Sequence, residues 1–319
     1  MGIRGLNKYL RAKYPLIRRA FQPTSGYWAV DASCIMYRAR GDGLHLPTVI
    51  ASLIVRLRKA GGEPIFVFDG AAPAAKSGVI ENRRAERAAV QKEVTALRAE
   101  LTERANRPES ERADVEVRIA TLQKKAPTVA GTDRDAVKQL LHAAGVLFVT
   151  TTGEADDLLG FLSRRGFVAG VISTDMDMLA RGVGTLVIPE TPDCSVLVEI
   201  TLARLLSQLG MPYDYFVNAC QLMGSDYTPT GWRTLDPAAA FLAVKQPGFG
   251  ADAALADGAA MLRGYGVTLE STLSEKQRSK WIAGGGTPEP HVLVEFATQG
   301  GWPRDWLTTL CGGAVMSAQ

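Results

Sequence analysis

The sequence predicts an α/β fold: a mostly parallel central sheet flanked by helices, with a charged helical insertion and a helical C-terminal region. Three observations carry that expectation. The β-rich runs GYWAVDAS, EPIFVFDG, GVLFVTTTG, VAGVIST and TLVIPE alternate with Ala- and Leu-rich segments at helical spacing, as in a parallel sheet covered on both faces. From Ser77 to about Lys125 strand signals vanish and charge rises. After Ile200 the pattern turns helical.

In chain order, the first stretch, MGIRGLNKYLRAKYPLIRR, holds Arg4, Lys8, Arg11, Lys13, Arg18 and Arg19 and no acid. A solvated helix face explains it as well as a polyanionic partner does. It lacks the apolar block of a secretory signal, and Leu6 stands where a myristoylation motif needs Ser or Thr. The strands YWAV and PIFVF then run into Asp31 and Asp69. The insertion that follows is rich in Ala, Glu and Arg and interrupted at Pro108, which predicts two helices projecting from the sheet. Lys76, Arg83, Arg84 and Arg87 form a second basic group near its start. VLFVTTTG leads into Glu154, Asp156 and Asp157, and GVIS into Asp175 and Asp177. TLARLLSQLG, PYDYFVNACQLMG, DPAAAFLAV and ADAALADGAAMLRGYG read as helices. The expected division is an α/β core over 1–200, including the insertion at about 77–130, and a helical region over 201–319.

Composition excludes several classes. With 319 residues, 46% of them apolar, the chain can bury a sizeable core. No run approaches the ~18 apolar residues of a membrane span, so an intracellular protein without a membrane partner is expected. Cys34, Cys194, Cys220 and Cys311 lack C-x-x-C spacing and there are only three histidines, which predicts ordinary buried thiols rather than a zinc cluster. The net charge of +3 does not by itself argue for a nucleic-acid partner.

The acids say more. Parallel strands point one way, so residues just past their C-terminal ends collect along one edge of the sheet. Each acid has an ordinary explanation: Asp69-Gly70 as a turn, Glu154 to Asp157 at a helix N-terminus, Asp175 as an N-cap. Four strand ends carrying acids together point instead to a cluster, with Asp226 joining where a helix gives way to a loop. Clustered carboxylates raise one another's pKa unless cations hold them ionised. Oxygen ligands without His or Cys suit Mg²⁺ or Mn²⁺ better than zinc. Two such ions about 4 Å apart can activate a water and stabilise a leaving oxygen in phosphodiester hydrolysis.

These residues also carry a resemblance. MGIRGL, VDASCIMY, FVFDGAAPAAKSGVIENRR, GEADD, STDMD and LMGSDY occur in this order over about residues 1 to 245, and in this the chain resembles the flap endonuclease/XPG-type structure-specific 5′ nucleases, of the PIN-like superfamily. The resemblance implies a DNA nuclease acting at single-strand/duplex junctions such as 5′ flaps, with accompanying 5′→3′ exonuclease action, in a nucleus or other DNA-containing compartment. It implies Asp31, Asp69, Glu154, Asp156, Asp175, Asp177 and Asp226 as ligands of two Mg²⁺ ions, with Mn²⁺ as substitute, and leaves Asp157 without a counterpart. It implies Lys76 and Arg83, seven and fourteen residues past Asp69, as the catalytic basic pair at the foot of a helical arch. Gly2, Tyr37 and Arg84 are implied to meet nucleic acid, Tyr37 by stacking on a base.

The chain departs from the family after Asp226, where TGWRTLDPAAAFLAV replaces a glycine-rich, lysine-bearing hairpin. The segment at about 220–245 is therefore a degenerate helix-hairpin-helix, in which Asp236 and Pro237 still make an N-cap and first helical residue. The ending CGGAVMSAQ has no sliding-clamp peptide, and a monomer is expected. Three alternatives stand beside this expectation. KYLRAKYP and DGAAPAAK are similar to XRN-type 5′→3′ exoribonucleases. The degenerate hairpin allows an inactive DNA-binding scaffold. The D-x-D alone fits a haloacid-dehalogenase-like phosphatase less well, since Leu179 stands where Thr or Val is expected.

Overall fold

The structure is a computed structural model that describes residues 2–71, 77–103, 109–228, 233–250, 253–264, 267–276 and 304–310, with single residues at 289, 291, 293 and 299. Its described strands, β1 (Arg19–Ala20), β2 (Gly26–Asp31), β3 (Gly62–Phe68), β4 (Leu147–Thr150), β5 (Gly170–Ile172), β6 (Thr185–Pro189) and β7 (Leu197–Thr201), form one sheet in the order β1-β7-β6-β5-β2-β3-β4. From β6 to β4 every pairing is parallel. β7 and β1 close the other edge antiparallel.

Those two strands are absent from the sequence-based expectation. β7 belongs to a hairpin with β6, and its turn carries the signal that was available: Asp193 Oδ1 accepts from Ser195 N at 3.1 Å, and Cys194 has φ +59°. An Asp side chain closing on the backbone two residues on is an ordinary way to reverse a chain.

Alternation of side chains across the strands splits the core in two. Ala29, Ile65, Val67, Val149 and Val171 face one side, with α1 (Leu6–Lys13), α7 (Ala155–Arg164), α9 (Leu202–Leu209) and α10 (Tyr213–Met223) supplying Leu6, Leu10, Leu158, Leu205 and Phe216. Trp28, Val30, Phe66, Phe68 and Ile172 face the other, against α2 (Ala32–Gly41), α3 (Leu46–Lys59) and α6 (Gly131–Ala143). Burial on both faces explains why these strands are nearly continuous apolar runs. Each buried Leu, Ile or Val contributes roughly 1.5–3 kcal/mol.

The C-terminal sequence serves both faces. α11 (Pro237–Ala243) and α12 (Ala253–Arg263) join the first, whereas α14 (Arg304–Leu310) packs on α3 across the sheet, after the one-turn α13 (Leu269–Thr272). Arg58 Nη1 donates to the carbonyls of Ala144 and Leu310 at 3.0 and 2.7 Å, which fastens this last helix.

The insertion forms α4 (Ser77–Glu103) and α5 (Glu109–Lys125), as its composition predicts. The pair has a small core of its own, Val94, Leu97 and Ile119. It is moored at the base by Lys124 to Asp42 at 2.6 Å and by the Arg87 guanidinium 5.8 Å above the Tyr37 ring.

Past the strands, the loops after β3 and β4 are zipped together. Gly70 N donates to Gly153 O at 2.7 Å, Ala71 N to Thr152 O at 3.1 Å and Thr151 N to Phe68 O at 2.9 Å. Gly70 has no room for a side chain, since a Cβ there would lie 1.9 Å from the Thr151 carbonyl oxygen. Gly70→Ala is therefore expected to cost about 1–3 kcal/mol or more, because backbone must move. Gly153→Ala, whose Cβ would meet only Ala71 O at 3.9 Å, is the control. Urea midpoints of the two variants check this, and equal shifts would count against the clash.

Candidate metal centre

β5, β2, β3 and β4 are neighbours and parallel, so their C-terminal ends form one continuous edge. Asp31 ends β2 and is buried, only 2% exposed. Its Oδ1 caps α2 by accepting from Cys34 N at 3.0 Å, and its Oδ2 accepts from Ser173 Oγ at 2.9 Å. Ser173 Oγ in turn accepts from Asp175 N at 3.0 Å, and Asp175 Oδ1 from Asp177 N at 2.9 Å. A single run of hydrogen bonds thus joins the acids after β2 to those after β5. On the other side Asp69 Oδ1 accepts from Ala155 N at 2.9 Å, which seats it on the N-terminus of α7 beside Glu154, Asp156 and Asp157. An exposed amide and the helix dipole both favour a carboxylate there.

The ordinary alternative for Asp175, an N-cap, does not hold. Met176 takes the cap position of the short α8 (Asp177–Ala180), and Asp175 instead closes a turn on Asp177 N.

Gly2 reaches this edge from the N-terminus. At φ +89° it stands so close that a Cβ would lie 2.2 Å from Asp175 Oδ1 and 3.0 Å from Asp177 Oδ1. Arg4 N donates to Gly224 O at 3.0 Å, which pins the terminal segment between the loop after β5 and the loop after α10. Asp226 lies half-buried in that second loop.

Burial pushes the Asp31 carboxyl up to about 6, and repulsion from Asp69 adds to it, against the pull of the Cys34 and Ser173 hydrogen bonds. Burial followed by the charges of Asp31 and Asp175 raises the Cys34 thiol. Burial and Asp177 raise that of Cys220. Cys34, Cys194 and Cys220 are free thiols, as expected, and Cys311 lies outside the described residues.

Two residues that sequence reasoning missed complete the edge. Arg181, 1% exposed, sends Nη1 to Asp157 Oδ1 at 2.6 Å and Nη2 to Tyr227 Oη at 2.7 Å, with Asp156 Oδ2 3.9 Å away. Tyr227 donates its hydroxyl to Glu154 Oε2 at 2.9 Å. Burial lowers the Arg181 pKa, but Asp156, Tyr227, Asp157 and Asp177 outweigh it and the net shift is upward. The available signal was Asp157, a surplus acid needing a partner.

The remaining expected residues divide. Lys76 lies outside the described residues, as does the side chain of Arg83, whose backbone is in α4. Arg84 is exposed on α4. Tyr37 is half-buried against the second core and covered by Arg87.

The donors present are oxygens only, which suits a hard divalent ion. Among the described residues no three His, Cys, Asp or Glu side chains stand as close as the ligands of one ion. The acids instead form adjoining groups, Asp31 with Asp69, Asp175 with Asp177 at Gly2, and Glu154 to Asp157 around Arg181 and Tyr227. Burial first and Asp69 second raise the Asp31 pKa, and a bound cation would oppose both.

Comparison with known proteins gives a consistent result. Residues 1–90 match the XPG N-terminal domain and residues 145–226 the XPG I-region. The chain is 31% identical over 249 residues to flap endonuclease 1 of Glycine max, covering 71% of this chain and 62% of that protein. It thus spans about six tenths of this curated relative. Among solved structures it resembles the catalytic core of Rad2 in complex with DNA substrate, with a TM-score of 0.64 at 18% identity over 98% of this chain and 100% of the other. It also resembles flap endonuclease-1 from Methanococcus jannaschii, with a TM-score of 0.56 at 17% identity over 92% and 95%.

A carboxyl whose folded pKa exceeds its unfolded value holds its proton more tightly when folded, so ionising it erodes stability. Without divalent ions, Asp31 is therefore expected to remove about 3 kcal/mol as pH rises from about 4 to about 6. Asp31→Asn should abolish that part of the pH slope, and saturating Mg²⁺ should flatten it in the wild type. Urea unfolding across this range in EDTA checks it, and identical slopes for both proteins would refute it.

Proposed function

Since the chain belongs to the XPG-type 5′ nuclease family, we propose that it is a metal-dependent, structure-specific 5′ nuclease that hydrolyses DNA phosphodiesters at single-strand/duplex junctions, flaps included. One observation carries this reading: four adjacent parallel strands deliver their terminal acids to one edge, where Gly2 lies against Asp175 and Asp177.

Asp31, Asp69, Glu154, Asp156, Asp175, Asp177 and Asp226 are the residues that would hold Mg²⁺ or Mn²⁺, which when bound would supply the Lewis-acid charge that phosphodiester hydrolysis needs. The protein's own groups do the rest. The missing side chain at Gly2 lets the N-terminal backbone lie directly against Asp175 and Asp177. Beside it, Asn7, Lys8, Arg11, Thr174 and Met176 line an open groove of about 760 Å³, whose cationic wall suits a strand's phosphates. Lys76 and Arg83, near the start of α4, would face the scissile phosphate and stabilise its developing charge. Arg84 would meet backbone phosphate, and Tyr37 a base near the cut once Arg87 gives way. Asp236, whose side chain accepts from Ala239 N at 3.0 Å, caps α11 where the family carries a phosphate-binding hairpin, so grip on the duplex at this point is weakened.

A cleavage panel with Mg²⁺ over labelled 5′-flap, nicked, recessed, blunt and RNA substrates tests this. Flap and recessed DNA are expected to be cut to products bearing 5′-phosphates, faster than matched RNA. Asp177→Asn should lower the rate about 100-fold or more while leaving junction binding in EDTA intact. Folded wild-type protein that spares every DNA substrate would sink the proposal.

A further inference from the structure

The acid that the family resemblance leaves without a role, Asp157, leads to Arg181. If this pair served only to neutralise a buried charge, Asp157 at 2.6 Å would suffice. The guanidinium fork does more. Its second nitrogen is bonded to Tyr227 Oη at 2.7 Å and lies 3.9 Å from Asp156, and Tyr227 passes its own proton toward Glu154 at 2.9 Å. The Arg181 guanidinium also lies 5.8 Å from the centroid of the Tyr227 ring. Its backbone is fixed too: Arg164 donates to the Arg181 carbonyl and, at 3.1 and 3.0 Å, to those of Arg263 and Gly264 at the end of α12. The network that begins at a buried cation therefore ends on two acids of the metal centre.

We propose that Arg181 is a positioning residue, a resident cation that holds Asp156 directly and Glu154 through Tyr227 in place before any divalent ion binds. This rests on the nuclease reading for what the two acids do. The physical logic is that of a group behind the ligands, which orients them and offsets their repulsion. Asp156 is the strongest of the charges that act on Arg181, ahead of Asp157, so Arg181 acts on Asp156 through charge across 3.9 Å and on Glu154, by way of its bond to Tyr227, through direction. Only a planar fork supplies that, since a lysine is a point charge.

The test compares wild type, Arg181→Met, Arg181→Lys and the neutral pair Arg181→Met/Asp157→Asn by two readouts, the Mg²⁺-induced rise in Tm and steady-state cleavage of flap DNA. In Arg181→Met the divalent ion must also replace the lost cation, so the Mg²⁺-induced rise should exceed that of wild type. At the same time kcat should fall about 10-fold with KM little changed. Arg181→Lys should return the Mg²⁺-induced rise toward wild type without restoring kcat. If Arg181→Met does not fold, the neutral pair should, and its kcat should be reduced about as much. A purely structural arginine would lower Tm equally with and without Mg²⁺; that result, or wild-type kcat in the neutral pair, overturns the proposal. Should wild type cut no junction DNA, the nuclease reading fails, and the Mg²⁺ response of Tm still decides the role of Arg181.

Discussion

Like charges crowd one edge of this sheet, and the local structure is arranged around keeping them there. Carboxylates in partial burial repel, and burial itself penalises each of them. The chain offsets that cost with donors it already has. Cys34 N and Ser173 Oγ serve Asp31, Ala155 N serves Asp69, and Asp177 N serves Asp175. These are mostly the amides of helix first turns and of a tight turn, groups that would otherwise lack partners. They offset burial and repulsion incompletely, since burial first and Asp69 after it keep the Asp31 pKa raised, and cations are what would offset the rest.

One of those cations is built in. Arg181 is more buried than any acid it serves, and burying it requires α12 to close over the loop after β5. The helical C-terminal sequence is thus tied to the electrostatics of the sheet edge by Arg164 as well as by apolar packing. The same sequence sends α14 to the opposite face of the sheet, where Arg58 receives it. Both layers over the sheet depend on residues far away in the chain.

The hairpin of α4 and α5 follows a different rule. Its own core is three buried residues, so its position relies on moorings such as Lys124 with Asp42, an exposed ion pair of the kind worth little by itself. The loops carrying Asp69 and Glu154, by contrast, are joined to each other by backbone hydrogen bonds.

The parallel strands, the two-helix insertion and the identity of the acids were legible in the sequence because each depends on local pattern: β-branched runs, helical composition broken at Pro108, and acids one step past a strand. Parallel pairing then converts that position into convergence, since β5, β2, β3 and β4 turn out to be adjacent. What could not be read was whatever depends on contacts between distant segments. β7 escaped because an antiparallel strand is defined by its partners, here β6 and β1, which its own stretch LVEIT does not reveal. Arg181 escaped because in DMDMLARG it is one more polar residue, and only the packing of α7, α10 and α12 together makes it a buried cation. Gly2 was suggestive as a motif, yet its closeness to Asp175 depends on distant contacts, the burial of Ile3 and the bond from Arg4 N to Gly224 O. Sequence determined which groups arrive at the edge. Tertiary structure decided which of them find partners within the protein, because electrostatic balance depends on distances that no local pattern encodes.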